Sequence, residues 1–145
     1  MNFAINNDIY EWLISLQLIK PTHYVQRLSS GKVMLDDFLS NQFINGTMFS
    51  KILQKLLDSN PKAVNKSFSN DTSFDTLYST ASPSSKLYNW NLVCENLKKI
   101  NLTIEKDVKD LIVAGDTDMI NEVLRDIYEK SKKINVKFVC YNITY

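Results

Sequence analysis

Leu87, Trp90, Val93, Cys94, Leu97 and Ile100 recur three and four positions apart, a spacing that gathers them on one stripe of an α-helix. A strand would scatter the same residues over both of its faces. The chain is thus committed to a long amphipathic helix carrying a Trp, and the rest of the sequence has to supply what covers it. Ser84 or Ser85 is placed to cap the start of that helix.

Other segments repeat the helical period. Ile9, Trp12, Leu13 and Leu16 mark an opening helix that Asn7 or Asp8 can cap, that buries a Trp face, and that Pro21 stops. Gly31 breaks Val25–Leu28 from Val33–Leu39, which predicts a loop followed by a short helix through Met34, Leu35, Phe38 and Leu39. The turn Asn45-Gly46-Thr47 then opens a helix with Phe49, Ile52, Leu53, Leu56 and Leu57 inside and Lys51, Lys55 and Asp58 outside. Thr103 with Lys106-Asp107 opens a shorter helix through Val108, Leu111 and Ile112, and Gly115 closes it. Asp116 or Thr117 caps a last helix with Ile120, Val123, Leu124 and Ile127 inside.

Length and composition agree with a helical domain. At 145 residues the chain suits a single hydrophobic core. Its three glycines and three prolines are few for a turn-rich β-sandwich or a phosphate-cradling loop. Residues 60–85 turn to Ser, Asn, Thr and Asp, which predicts a long mobile loop with Phe68, Phe74, Leu77 and Tyr78 as isolated apolar residues. Beyond Ser131, Ile134, Val136 and Phe138 and then Val139, Tyr141, Ile143 and Tyr145 follow a period of two. Residues 132–145 therefore read as a tail, a strand or a linker to a longer parent chain. No internal repeat or sustained heptad pattern is present.

Chemistry has little to build on. Cys94, Cys140 and the single histidine His23 cannot furnish a four-ligand zinc site or a disulfide framework. One histidine also leaves Cys–His and Ser–His catalysis thin, and Cys94 falls on an apolar face where a small buried hydrophobe is the better reading. Asp36-Asp37 and the Asp107/Asp110 pair lack the oxygen-rich loop of a calcium site and read as solvated helix faces. No phosphate-binding glycine motif occurs. The first twenty residues carry Asp8 and Glu11 in their apolar run and no basic leader, so neither a signal peptide nor a membrane span is expected. The reading is a cytoplasmic, non-enzymatic chain with no cofactor and no metal.

Five stretches, taken in order, resemble the calponin-homology (CH) domain. Tyr10-Glu11-Trp12-Leu13 is similar to that family's opening Trp helix, and Asn45-Gly46-Thr47-Met48-Phe49, leading to Leu56-Leu57, to its turn and following helix. Lys86-Leu87-Tyr88-Asn89-Trp90 through Leu97 resembles the central helix, with Leu87 and Trp90 directed to the core. Asp110-Leu111-Ile112-Val113-Ala114-Gly115-Asp116 and Ile120 to Ile127-Tyr128 match the last two segments. The likeness spans roughly residues 5 to 130. It implies an all-α, compact bundle of five or six helices over residues 1–131, with Trp12, Leu53, Leu56, Leu87, Trp90, Val93, Leu97, Ile112, Ile120, Leu124 and Ile127 in one core.

The resemblance also implies a cytoskeletal binding module. A single domain is unlike the tandem arrangement of actin-binding members, and the Gly115-Asp116 step and short opening segment look more like the divergent ciliary and sperm-flagellar, microtubule-binding type. Microtubules or axonemal proteins are the first expected partner. Actin, or a protein docked in an apolar groove, is the alternative.

The formal charge of +1 is too small for a surface built wholly to hold nucleic acid or anionic lipid. Its distribution is uneven: residues 110–127 carry one base against five acids, whereas 128–145 carry four bases against one acid. The local excesses of base are Lys51 and Lys55, Lys98 and Lys99, and Lys130, Lys132 and Lys133. These seven lysines are the expected filament-binding residues.

Overall fold

The computed structural model describes residues 3–20, 25–59 and 82–143, with the backbone alone for Ser59 and 134–143. Residues 60–81 of the loop expected at 60–85, Pro21 and His23 lie outside the described residues. Among the described residues, six α-helices and three short strands follow one another as β1 (Ala4–Asn6), α1 (Asn7–Ser15), β2 (Val25–Arg27), β3 (Lys32–Leu35), α2 (Asp37–Ile44), α3 (Thr47–Ser59), α4 (Pro83–Leu97), α5 (Lys106–Val113) and α6 (Thr117–Ile143). A 3-10 turn, Lys98–Ile100, extends α4.

The chain is predominantly helical, as expected, but a small sheet makes the all-α class approximate and replaces the helix expected through Met34 and Leu35. The sheet order is β1-β3-β2, with β3 antiparallel to both neighbours and Ile5 and Arg27 on either side of Val33. Alternation decides the fold here: Phe3, Ile5, Val33 and Leu35 are buried while Ala4 and Met34 between them are only partly so. Gly31, at φ +86°, turns β2 into β3 and donates its N–H to the Leu28 carbonyl. Arg27 then bonds Asn7 Oδ1, faces Glu11 at 3.6 Å and lies over the Tyr10 ring, which ties the hairpin to α1.

Helix ends are set by local geometry. Gln17, at φ +63°, ends α1 well before Pro21, with the Leu18 N–H returning to the Leu13 carbonyl. Asn6, rather than Asn7 or Asp8, occupies the cap position of that helix. Asp36 caps α2 through the Leu39 N–H, and Ser82 caps α4 through the Ser85 N–H, so α4 begins at Pro83, inside the stretch expected to be loop. Gly115 closes α5, and Asp116 Oδ1 accepts the N–H groups of Asp118 and Met119 at the start of α6. The last helix runs to Ile143, where the period of two suggests a strand. No Gly or Pro interrupts residues 117–143, so nothing in the chain stops the helix.

The core joins sheet and helices through a line of rings: Phe3 on Phe43, Phe43 on Phe49, and Phe49 on Trp90 at 4.9 Å. Trp90 is fully buried and donates its Nε1–H to the Ile44 carbonyl at 3.0 Å, while Asn89 donates from Nδ2 to the Asn45 carbonyl at 2.9 Å. Two adjacent residues of α4 thus hold the α2–α3 corner. Leu53, Leu56, Val93, Leu97, Ile112, Ile120, Leu124 and Ile127 are buried as expected. Leu87 is 43% exposed, because it precedes the point at which α4 meets that corner, and Trp12 is half-buried. Tyr10 takes the inward position on α1 instead.

Gly46 completes the corner. It has φ +88°, and a Cβ there would stand 3.4 Å from Trp90 Nε1. Gly46→Ala is expected to cost about 1–2 kcal/mol for the left-handed backbone alone. A urea titration checks this, and an unaltered midpoint would mean that the corner is not held as described.

Candidate functional site

Lys51 and Lys55 stand one turn apart on the outer face of α3 because Ile52, Leu53 and Leu56 claim the inner one. Both are exposed, and Lys51 Nζ donates to Gln42 Oε1 of α2 at 3.1 Å. They remain accessible to a partner.

The second expected pair divides. Lys98 is half-buried and meets Glu95 at 3.4 Å, whereas Lys99 is 4% exposed and lies beside buried Ile100. The cause is the 3-10 turn, whose tighter winding rotates Lys99 inward just after α4 ends. Lys99 therefore leaves the solvent-facing set that the sequence predicts.

On α6, Lys130 is half-buried and Lys132 and Lys133 are exposed, all within one turn. Lys132 faces Glu129 at 3.6 Å and holds its ammonium 4.3 Å from the centre of the Tyr128 ring. Tyr128 in turn packs on Trp12 of α1, ring centres 5.1 Å apart and planes inclined by 53°. Sequence reasoning takes Trp12 as core and misses this arrangement, although Tyr128 and Lys132 at i and i+4 are a readable signal. Upstream on the same helix Asp118, Glu122 and Asp126 are exposed, so α6 passes from an acidic first half to a basic continuation.

The carboxylates have structural work. Asp36 and Asp116 are helix caps, and Asp37, Asp107 and Asp110 face solvent. Among the described residues no group of three or more His, Cys, Asp or Glu side chains comes together to hold a metal, and no helix is long and apolar enough to cross a membrane.

Burial pushes the Cys94 thiol up from its ordinary value; Lys109 and Lys98 pull it down and Glu95 adds a smaller push upward. Cys94 is expected to stay protonated and to react with a disulfide reagent more slowly near neutral pH than an exposed thiol does. Measuring this in a Cys140→Ser chain isolates it, and reaction as fast as in unfolded chain would contradict the placement.

Apolar exposure is scattered, with Phe38 at 65% on α2, Leu111 at 47% on α5, and Leu87 beside Tyr88 on α4.

Compared with known proteins, the chain matches over residues 9–129 a family model described as a CH-like domain in sperm protein. The α6 lysines fall just past the end of that match. No curated protein and no solved structure gives a significant match.

Proposed function

The chain belongs to the family of CH-like domains in sperm protein, and on that premise we propose that it binds the acidic surface of microtubules in the axoneme of cilia or flagella through exposed lysines. CH-like domains are in general non-catalytic, cytoskeletal-type binding modules. The observation that carries the finer reading is the exposure of Lys51, Lys55, Lys132 and Lys133, with Lys98 and Lys130 half-buried, in a chain whose net charge is only +1. A nearly neutral protein that concentrates base on a few helix faces is suited to a local acidic surface.

A second reading, docking of a partner through apolar side chains, would use Phe38, Leu87 and Leu111, which stand exposed on three different helices. Co-sedimentation with microtubules and with actin filaments separates the possibilities. Pelleting with microtubules in preference to actin is the expected result; pelleting with actin alone, or with neither filament, would overturn it.

A further inference from the structure

The lysine groups differ in what lies beside them. Lys98 is matched by Glu95, Lys99 is buried, and Lys51 leans on the Gln42 amide. At the α6 group, Lys130 and Lys133 have no carboxylate partner among the described residues, and Lys132 spans Glu129 and the Tyr128 ring. Trp12, half-buried, packs on the same ring, so indole, phenol and ammonium meet at the surface where α1 meets α6. The parts of the two tilted rings left open to solvent offer apolar contact for the methylenes of a bound chain, with cations beside them for carboxylates.

We infer that Trp12, Tyr128, Lys130, Lys132 and Lys133 form a docking surface for an acidic, extended polypeptide segment. This deepens the filament reading by naming what the α6 lysines would hold. The charge pattern favours a peptide over a broader polyanion. Lys130, Lys132 and Lys133 lie within one helical turn, and Glu129 beside them with Asp126, Glu122 and Asp118 behind, against Arg125 as the one base of α6 before Lys130, would repel the continuous charge of a duplex or an anionic bilayer. A flexible glutamate-rich strand can place its carboxylates on the lysines and leave before the acidic half of the helix begins.

Tryptophan emission provides the test. The protein has two Trp residues, Trp90 is fully buried with its Nε1–H bonded, and Trp12 is half-exposed, so a change on binding reports on Trp12. A short glutamate-rich peptide with a fluorescent label is titrated into the intact protein, with anionic vesicles and duplex DNA in parallel. Saturable binding that alters emission, weakens with salt and falls about tenfold or more in the Lys130→Glu/Lys132→Glu/Lys133→Glu protein is expected, from several exposed contacts acting together. In Trp12→Phe the emission change should vanish while the label still reports binding. A Lys→Gln triple replaces the Glu triple if the latter fails to melt cooperatively.

Equal peptide affinity in wild type and triple variant would overturn the inference, as would binding to vesicles or DNA without binding to peptide. Pelleting with microtubules, measured on the same proteins, keeps the two readings apart. Peptide binding without pelleting defeats the filament reading alone. Lysine-dependent pelleting without peptide binding defeats the acidic-segment inference alone.

Discussion

Replacing Trp90 by Ala is expected to destabilise the domain by about 3–5 kcal/mol, the range for removing a large aromatic from a closed core. Three losses coincide at this site. The indole packs on Phe49 at 4.9 Å, its Nε1–H satisfies the Ile44 carbonyl, and its ring lies against Gly46 at the α2–α3 corner. Domains of ordinary stability have about 5–15 kcal/mol in all, so the variant should melt far below wild type or fail to fold. Trp90→Phe keeps much of the packing but leaves the Ile44 carbonyl without its donor, and should cost about 1–3 kcal/mol. Thermal and urea denaturation of both proteins check the order. An unchanged melting temperature for Trp90→Ala would show that the core does not close on this residue.

The second large effect is expected in binding. Reversing Lys51, Lys55, Lys98, Lys130, Lys132 and Lys133 to Glu should abolish microtubule binding while the protein still melts cooperatively. Each exposed lysine contact is worth only a few tenths to about 1 kcal/mol, so one Lys→Ala weakens binding a few-fold. Reversal of all six replaces attraction by repulsion across the surface. Surface substitutions of this kind stay within about 0.5 kcal/mol each, so six together cost up to about 3 kcal/mol, less than the whole stability of an ordinary domain. Lys99 is left out deliberately: it is buried, and Lys99→Glu would put a carboxylate into the interior and unfold the chain. Pelleting at low salt reads the first effect and a thermal melt the second. A six-lysine variant that pellets like wild type would overturn the lysine reading in favour of apolar docking.

What could be read from the residues follows the length of each pattern. The stripe from Trp90 through Ile100 and the Asn45-Gly46-Thr47 turn before α3 are long or chemically marked, and both stand where periodicity and turn chemistry place them. Strands of three or four residues carry too few alternations to outweigh a neighbouring helical pattern, so Ile5 and Val33 gave no separate signal. Whether Trp12 or Tyr10 turns inward depends on where Arg27 and Tyr128 arrive from distant segments. Lys99 shows the same limit for charge: adjacent lysines read alike, and only the winding of the turn after α4 separates them. At the corner, a motif known by resemblance acquires a physical cause, because Asn89 and Trp90 are the donors that satisfy two carbonyls where α2 gives way to α3.

The dissociation constant for microtubules as a function of salt tests the filament account most directly. Exposed lysines act over a screening distance of about 10 Å at 0.1 M salt and about 3 Å at 1 M, so the account requires affinity to fall steadily as salt rises. An affinity that stays constant across that range would contradict it, since binding that ignores screening is not carried by these lysines.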